Sequence, residues 1–246
     1  MRIVCWFSCG AASAVATKIA LSERERESEL VIAYTEVKEE HPDNKRFLAD
    51  CEEWFGQKIE ILGNDRYERS IYKTFEKSAM NIKGSAPCTR LLKKVVRERF
   101  EKPTDRQVFG YTAEEQARLD RFIDANADVN IWTPLIEKGL GKEDCLAMLK
   151  NANIEIPIMY KLGYHNNNCI GCVKGGMGYW NKIKVDFPNH FDRMAKLERF
   201  KKQTIFKDRY LDELKPTDGN YPKEPNIECS IFCQIAEQEL DNKEDL

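Results

Sequence analysis

The sequence predicts an α/β protein built on a doubly wound, mostly parallel sheet with helices on both faces. Short apolar runs alternate with amphipathic helical segments over residues 1–156, as expected for parallel strands joined by crossover helices. The first apolar run ends in a turn of small residues that leads into a helical pattern. Open α/β sheets bind ligands beyond such strand ends. A chain of 246 residues has room for one such domain and a smaller second one.

The elements follow in chain order. Residues 2–7 (RIVCWF) form an apolar run that predicts the first strand, and Ala14–Leu21 carry apolar residues at helical spacing. The remaining predicted strands cover residues 30–34, 58–62, 107–111 and 131–136, and the helices between them cover 44–55 and 142–151.

The character of the chain changes after Pro157. Residues 161–178 are rich in Gly and Asn, residues 179–202 predict one amphipathic helix, and residues 214–225 have the prolines of a loop. We therefore predict a boundary between residues 156 and 157. The second part, residues 157–246, is expected to be a mostly helical, cysteine-bearing module.

Composition excludes several classes of protein. Apolar residues make up 42% of the chain and charged residues 33%, the balance of a soluble globular protein. No run approaches the roughly 20 apolar residues of a membrane helix, and no signal peptide is recognisable at the start. A net charge of −2 argues against non-specific coating of nucleic acid. We expect a cytoplasmic protein that does not bind membranes.

The turn after the first strand, Ser8–Ser13, is a candidate phosphate site. Its small side chains would let a phosphate approach the backbone, and a helix N-terminus presents N–H groups that lack partners within the helix. The same residues would also simply open a helix capped by Ser8 or Ser13. Composition alone leaves both interpretations open.

Nine cysteines without a secretion signal favour metal binding or redox chemistry over disulfides. Cys5, Cys51 and Cys145 lie in apolar or amphipathic surroundings, and we expect them to be buried as small hydrophobic side chains. Cys169 and Cys172 have the spacing of a pair that grips one metal or cluster from a single turn, and Gly171 allows the tight curvature. An iron–sulfur cluster, a structural zinc and free or redox-active thiols all remain open.

Several short segments across residues 3–172 follow the order of a known family. They are the turn Ser8–Ser13, Tyr34-Thr35-Glu36, His41-Pro42-Asp43-Asn44, Cys88-Thr89-Arg90-Leu91-Leu92-Lys93, Gly110-Tyr111-Thr112-Ala113-Glu114-Glu115 with Arg118, Pro134-Leu135-Ile136, and Gly163-Tyr164 followed by Cys169-Ile170-Gly171-Cys172. Together they resemble the phosphoadenosine phosphosulfate (PAPS) reductase-like branch of the PP-loop, or adenine nucleotide alpha-hydrolase-like, superfamily. This resemblance implies the HUP-like form of the α/β fold. The turn departs from the family's Ser-Gly-Gly-x-Asp-Ser motif at Cys9 and Ala12.

The resemblance implies an adenine nucleotide ligand: ATP, PAPS or adenylylsulfate. Its adenine is expected near Tyr34, Thr35 and Glu36. Its phosphates are expected over Ser8, Cys9, Gly10, Ala11 and Ser13. Gly110 would allow close backbone approach. Arg90 and Lys93 match the family's phosphate or sulfate contacts, and Arg118 is expected near the phosphates. The basic run from Arg90 to Arg99 would otherwise be an ordinary solvated face.

The resemblance also implies a [4Fe–4S] cluster held by Cys88, Cys169 and Cys172, with zinc as the alternative. Pro87 stands where the cluster-binding reductases have an adjacent second cysteine, so Cys229 or Cys233 is the candidate fourth ligand. Glu228-Cys229 also resembles the reductases' Glu-Cys-Gly-Leu-His tail, whose cysteine attacks the sulfonate sulfur. We therefore predict catalytic roles for Cys229 and Cys233, although Ser230 replaces the tail's Gly and Cys233 follows where its His would be.

Three functions fit these features. The first is reduction of a sulfonucleotide, with a thioredoxin-type protein as the reductant that releases sulfite. The second is ATP-dependent, iron–sulfur thiolation of tRNA or DNA, for which Lys174, Lys182 and Lys184 with Tyr179 and Trp180 would guide a strand, unless they are an ordinary helix surface. The third is a non-catalytic nucleotide-binding protein with structural zinc. A second copy of the chain, in a homodimer, is a further candidate partner.

Overall fold

The computed structural model describes residues 1–80 and 86–227. Its strands are β1 (Arg2–Phe7), β2 (Glu29–Thr35), β3 (Ile59–Leu62), β4 (Arg106–Val108) and β5 (Asn130–Trp132). Its helices are α1 (Ala11–Glu23), α2 (Asn44–Phe55), α3 (Ile71–Lys77), α4 (Val95–Phe100), α5 (Gln116–Ala125), α6 (Pro134–Glu137), α7 (Lys142–Asn151), α8 (Ile158–Lys161), α9 (Met177–Asp186) and α10 (Pro188–Lys201). Thr89–Lys94 forms a turn of π-helix before α4.

The strands form one parallel sheet in the order β3-β2-β1-β4-β5, which confirms the predicted α/β class. From β1 the chain moves towards one edge through β2 and β3, whereas β4 and β5 extend the sheet on the other side. Because crossovers between parallel strands are generally right-handed, α1 and α2 are expected on one face and α5 on the other. The strand order reverses between β1 and β4, so a crevice for ligands is expected at the carboxyl ends of these two strands.

The core of the sheet forms because β1 is apolar on both of its faces, as expected for a strand buried between two helical layers. Ile3, Val4 and Cys5 are 0–1% exposed. Ile3 and Cys5 share one hydrophobic cluster with the alanines and Val15 of α1. Cys5, Cys51 and Cys145 are all fully buried in this core, which confirms their predicted role. Burial raises the pKa of each of these thiols, so they remain protonated and unreactive.

The chain divides into two compact units that alternate along the sequence. Unit 1, which contains the whole sheet, comprises Met1–Glu36, His41–Leu62 and Glu98–Asn167. Unit 2 comprises Val37–Glu40, Gly63–Arg97 and Asn168–Leu246, described without residues 81–85 and 228–246. This division differs from the predicted single boundary after residue 156, because residues 63–97 cluster with the C-terminal part. Unit 2 contains no strand in its described part.

Prolines explain two further differences from the predicted elements. The single helix expected over residues 179–202 is broken into α9 and α10 at Phe187, whose backbone leaves the helical region before Pro188. The strand expected over residues 131–136 ends at Trp132, because Pro134 begins the short helix α6. None of the described helices combines the length and apolar character needed to cross a bilayer.

Candidate nucleotide site and cysteine pocket

The loop after β1 is closed by a pair of serines. The N–H and the hydroxyl of Ser8 both donate to Oγ of Ser13, at 3.0 and 3.1 Å, and Ser13 Oγ donates to the carbonyl of Gly10 at 3.0 Å. Gly10 is the N-cap of α1 and provides no side-chain cap. The two serines therefore do not cap the helix, as the alternative interpretation required, but hold the loop in a closed shape.

The N-terminus of α1 presents backbone donors at this loop. The first backbone hydrogen bond of the helix runs from the N–H of Ala14 to the carbonyl of Gly10, at 3.0 Å. The N–H groups of Ala12 and Ser13 have no acceptor among residues 1–80 and 86–227. Unpaired N–H groups and the positive end of the helix dipole together favour an anion at this position.

Gly110, after β4, packs against the same turn. A Cβ added to Gly110 would lie 2.7 Å from the backbone nitrogen of Ser13 and 2.9 Å from the carbonyl carbon of Ala12. The absence of a side chain at Gly110 thus serves the approach of β4 to α1. The sequence predicted a nucleotide against this glycine. In the structure, the backbone of α1 lies against it.

Two residues that the sequence analysis did not single out support the loop. Asn167 donates from Nδ2 to the carbonyl of Cys9 at 2.7 Å and to Oδ1 of Asn44 at 2.8 Å. The hydroxyl of Tyr160 accepts from the N–H of Ala11 at 3.4 Å, and burial raises the pKa of this phenol. Asn167 lies in a run of three asparagines with no recognisable spacing, so only the three-dimensional contact reveals its role.

The other predicted nucleotide contacts of unit 1 lie at the end of β2 and after β4. Tyr34 is buried with its ring edge-on to Phe7, and the hydroxyl of Thr35 is buried with no partner in the described part of the chain. Arg118 pairs with Glu115, and its guanidinium lies 5.1 Å from the centre of the Tyr111 ring. Because β2, β1 and β4 are adjacent and parallel, these segments and the loop Ser8–Ser13 share one edge of the sheet.

Three predicted metal ligands line a single pocket in unit 2. Cys88, Cys169 and Cys172 converge on a pocket with an empty volume of about 320 Å³, part of it open to solvent. The other residues of the wall are Val37, Ile71, Phe75, Thr89, Leu92, Lys93 and Val173. Cys169 and Cys172 are each 6% exposed, and Cys88 is half-buried at the start of the helical turn that continues as the π-helix. Eighty residues thus separate two parts of one site.

The turn Cys169–Cys172 is held by hydrogen bonds to two residues, Glu39 and Tyr179. The N–H of Ile170 donates to the carbonyl of Glu39 at 2.8 Å. The hydroxyl of Tyr179 accepts from the N–H groups of Gly171 and Cys172 and donates to the carbonyl of Cys169. Gly171 has a φ of +77°, as its expected curvature requires.

The basic residues after Cys88 have separate environments. Arg90 and Arg99 are exposed, but Arg97 is buried, so the run is not one solvated face. Lys93 lines the cysteine pocket and lies 3.7 Å from the carboxylate of Glu40. Arg90 and Lys93 both belong to unit 2, whereas the loop Ser8–Ser13 belongs to unit 1.

The sequence also suggested roles for Tyr179 and Trp180 and for Cys229 and Cys233. Tyr179 and Trp180 are 2% and 0% exposed, so neither ring presents a face on which a nucleic-acid base could stack. Cys229 and Cys233 lie outside the described residues. The described part of the chain ends at Ile227, whose carbonyl accepts from Nδ2 of Asn168 at 3.2 Å.

The donor set of the pocket fits a metal that prefers sulfur. Three cysteine sulfurs on one mostly apolar wall are the ligands typical of zinc or an iron–sulfur cluster. In the described ranges, no three Cys, His, Asp or Glu side chains lie close enough as placed to grip a single ion. Metal binding at this pocket would therefore draw the cysteines together.

No family model matches the chain, and a search of curated proteins finds no significant relative.

Proposed function

We propose that this protein binds an adenine nucleotide with unit 1 and carries out sulfur chemistry on it with a thiolate-bound metal centre in unit 2. The observation that carries the proposal is the shared pocket of Cys88, Cys169 and Cys172, since Cys88 is 81 residues before Cys169 in the sequence. The resemblance to PAPS reductase-like proteins supports the pairing of such a centre with a PP-loop, HUP-like nucleotide domain.

The anion site of unit 1 supports the nucleotide half of the proposal. The N–H groups of Ala12 and Ser13, at the positive end of α1, would receive a phosphate or sulfate oxygen. Ser8 is exposed at the same loop, and the buried hydroxyl of Thr35 lies at the end of the neighbouring strand β2. These groups bind negative charge through dipoles and hydrogen bonds.

Cys88, Cys169 and Cys172 would hold the metal centre. A [4Fe–4S] cluster, when bound, supplies electron transfer or a site for sulfur, whereas zinc supplies a structural crosslink. The chain's own contribution is two buried thiols, a half-buried third thiol just before the π-helical turn, and an amine from Lys93 on the same wall. A positive charge at this wall would favour the thiolate form of the cysteines.

The first experiment is anaerobic purification with analysis of iron, sulfide and zinc and an absorbance spectrum. About four irons with matching sulfide and a broad band near 400 nm are expected for a [4Fe–4S] cluster. Cys88→Ser, Cys169→Ser and Cys172→Ser should each lower the metal content. Cys145→Ser, at a fully buried thiol in the core of unit 1, is the matched control and should retain it.

A second measurement separates the chemistries. The purified protein is incubated with adenylylsulfate or PAPS and a thioredoxin-type reductant, and sulfite is measured. In parallel it is incubated with ATP and tRNA or DNA, and pyrophosphate is measured. Sulfite release supports sulfonucleotide reduction, and pyrophosphate release supports thiolation. One zinc without sulfide, together with neither product, would overturn the catalytic proposal and leave a nucleotide-binding protein with a structural metal.

A further inference from the structure

Tyr179 makes three hydrogen bonds to one turn through a single oxygen atom. Its hydroxyl accepts from the N–H of Gly171 at 3.1 Å and from the N–H of Cys172 at 3.0 Å, and it donates to the carbonyl of Cys169 at 3.1 Å. A tyrosine hydroxyl has one proton to give and two lone pairs to receive. Its hydrogen-bonding capacity is therefore completely used by this turn.

These contacts fix the backbone on which two thiols are mounted. The bonded groups belong to Cys169, Gly171 and Cys172, so the hydroxyl connects both ends of the Cys-x-x-Cys segment. The ring of Tyr179 is 2% exposed, so water does not compete for the same backbone groups. The turn thus has a defined shape that does not depend on a bound metal.

The backbone of Tyr179 is itself anchored. The carboxylate of Glu224 accepts from the N–H of Gly178 at 2.6 Å and from that of Tyr179 at 2.9 Å, which closes the first turn of α9. Gly178 and Gly219 leave the space for this approach, since a Cβ on either would overlap Glu224 or the facing backbone. Glu224 therefore holds the residue that holds the cysteine turn.

We propose that Tyr179 is a positioning residue that preorganises the Cys169–Cys172 turn for metal binding, with Glu224 supporting it. The inference rests on the proposed metal centre in unit 2. Groups behind the first ligands commonly change metal affinity by about 10- to 100-fold when they are removed. Tyr179→Phe removes only the oxygen atom and retains the buried ring, so its effect reports on the hydroxyl.

The test uses Co²⁺ as the probe, because its thiolate charge-transfer band reports directly on cysteine ligation. The full-length metal-free protein is titrated with Co²⁺ without oxygen. Tyr179→Phe should raise the Kd for Co²⁺ by about 10- to 100-fold, and Glu224→Gln should raise it less. Tyr72→Phe is the matched control: this residue of unit 2 is 1% exposed, and its hydroxyl bonds to His190 rather than to the turn. Its Kd should stay within about threefold of wild type.

Hydrogen exchange supplies a readout that needs no metal. In the metal-free wild-type protein, the amides of Gly171 and Cys172 should exchange slowly, and Tyr179→Phe should make them exchange faster while the amides of α10 are unchanged. A wild-type protein that binds no Co²⁺ through cysteine would overturn the metal centre itself. Wild type and Tyr179→Phe binding Co²⁺ equally would overturn the role of Tyr179 and leave the metal centre standing. If Tyr179→Phe does not fold, an unchanged Kd for Co²⁺ in Glu224→Gln would overturn the positioning role and leave the metal centre standing.

Discussion

Gly110 and Ser13 are in backbone contact across the end of the sheet, with no room for a methyl group between them. A Cβ at Gly110 would lie 2.7 Å from the nitrogen and 2.8 Å from the Cα of Ser13. Both atoms belong to the first turn of α1, which cannot rotate away as a flexible side chain does. The position of the turn proposed to bind an anion is thus set by a glycine almost 100 residues further along the chain.

Gly110→Ala is therefore expected to displace the start of α1. The overpacking should lower the free energy of unfolding by about 1–3 kcal/mol and weaken binding of an adenine nucleotide. Gly139→Ala is the control, because Gly139 has open space around it but a φ of +64°. The control should lose about 1 kcal/mol of stability through its backbone and retain nucleotide affinity. Equal affinities of the two variants, measured by calorimetry, would contradict the role of Gly110.

Ser13→Ala is expected to open the loop after β1. It removes the acceptor for two donors of Ser8 and the donor to Gly10, so the Kd for nucleotide should rise about tenfold or more. Ser22→Ala removes a comparable hydroxyl at the other end of α1, where it donates to the carbonyl of Ile19. Titration of both variants with the same nucleotide is the measurement. If Ser13→Ala binds like Ser22→Ala, the phosphate site lies elsewhere.

The backbone of Cys9 predicts an unusual order of stabilities. Cys9 has a φ of +55°, in the left-handed region that favours glycine, and its side chain is fully buried. Cys9→Ala and Cys9→Gly both lose the sulfur, but only glycine relieves the backbone. We expect the glycine variant to be the more stable by about 1 kcal/mol, the reverse of the order in a helix. Chemical denaturation of the two variants tests this, and an alanine variant of equal or greater stability would refute it.

The stability of unit 2 is expected to depend on pH through Glu198. Its carboxyl group is fully buried and accepts from the N–H groups of Ile205 and Leu211, and burial raises its pKa. Because the folded-state pKa is the higher one, this group's contribution to stability is present below the unfolded pKa and is lost as pH rises through the folded pKa. The stability of wild type minus that of Glu198→Gln should therefore fall as the pH rises above the ordinary glutamate pKa of about 4.3. A difference that rises with pH would contradict the assigned direction.

The strands and helices of the sheet domain could be predicted from the sequence because the local sequence pattern there agrees with the burial of each element in the fold. The apolar run Arg2–Phe7 is a strand buried on both faces, and α2 has the predicted bounds, 44–55. Gly56 ends α2 with a φ of +67°, the left-handed residue that such a terminus favours. The fold class followed from this alternation of strands and helices.

The missed features depend on contacts between distant residues. No spacing in the sequence relates Asn167 to Cys9, and Tyr179 looked like part of a helix surface although its hydroxyl holds the cysteine turn. The segment 63–97 carries no strand to mark its membership of unit 2. The break between α9 and α10 did have a local signal in Pro188, which outweighs the helical periodicity on either side.

The alternation of the two units has a consequence for a chain made from its N-terminus. The polypeptide passes between the units after residues 36, 40, 62, 97 and 167. Every residue of unit 1 has therefore been synthesised before Cys169 and Cys172 leave the ribosome. The sheet can form around its core before Cys169 and Cys172 have been synthesised. A metal ion can bind the pocket of all three cysteines only after synthesis of unit 1 is complete.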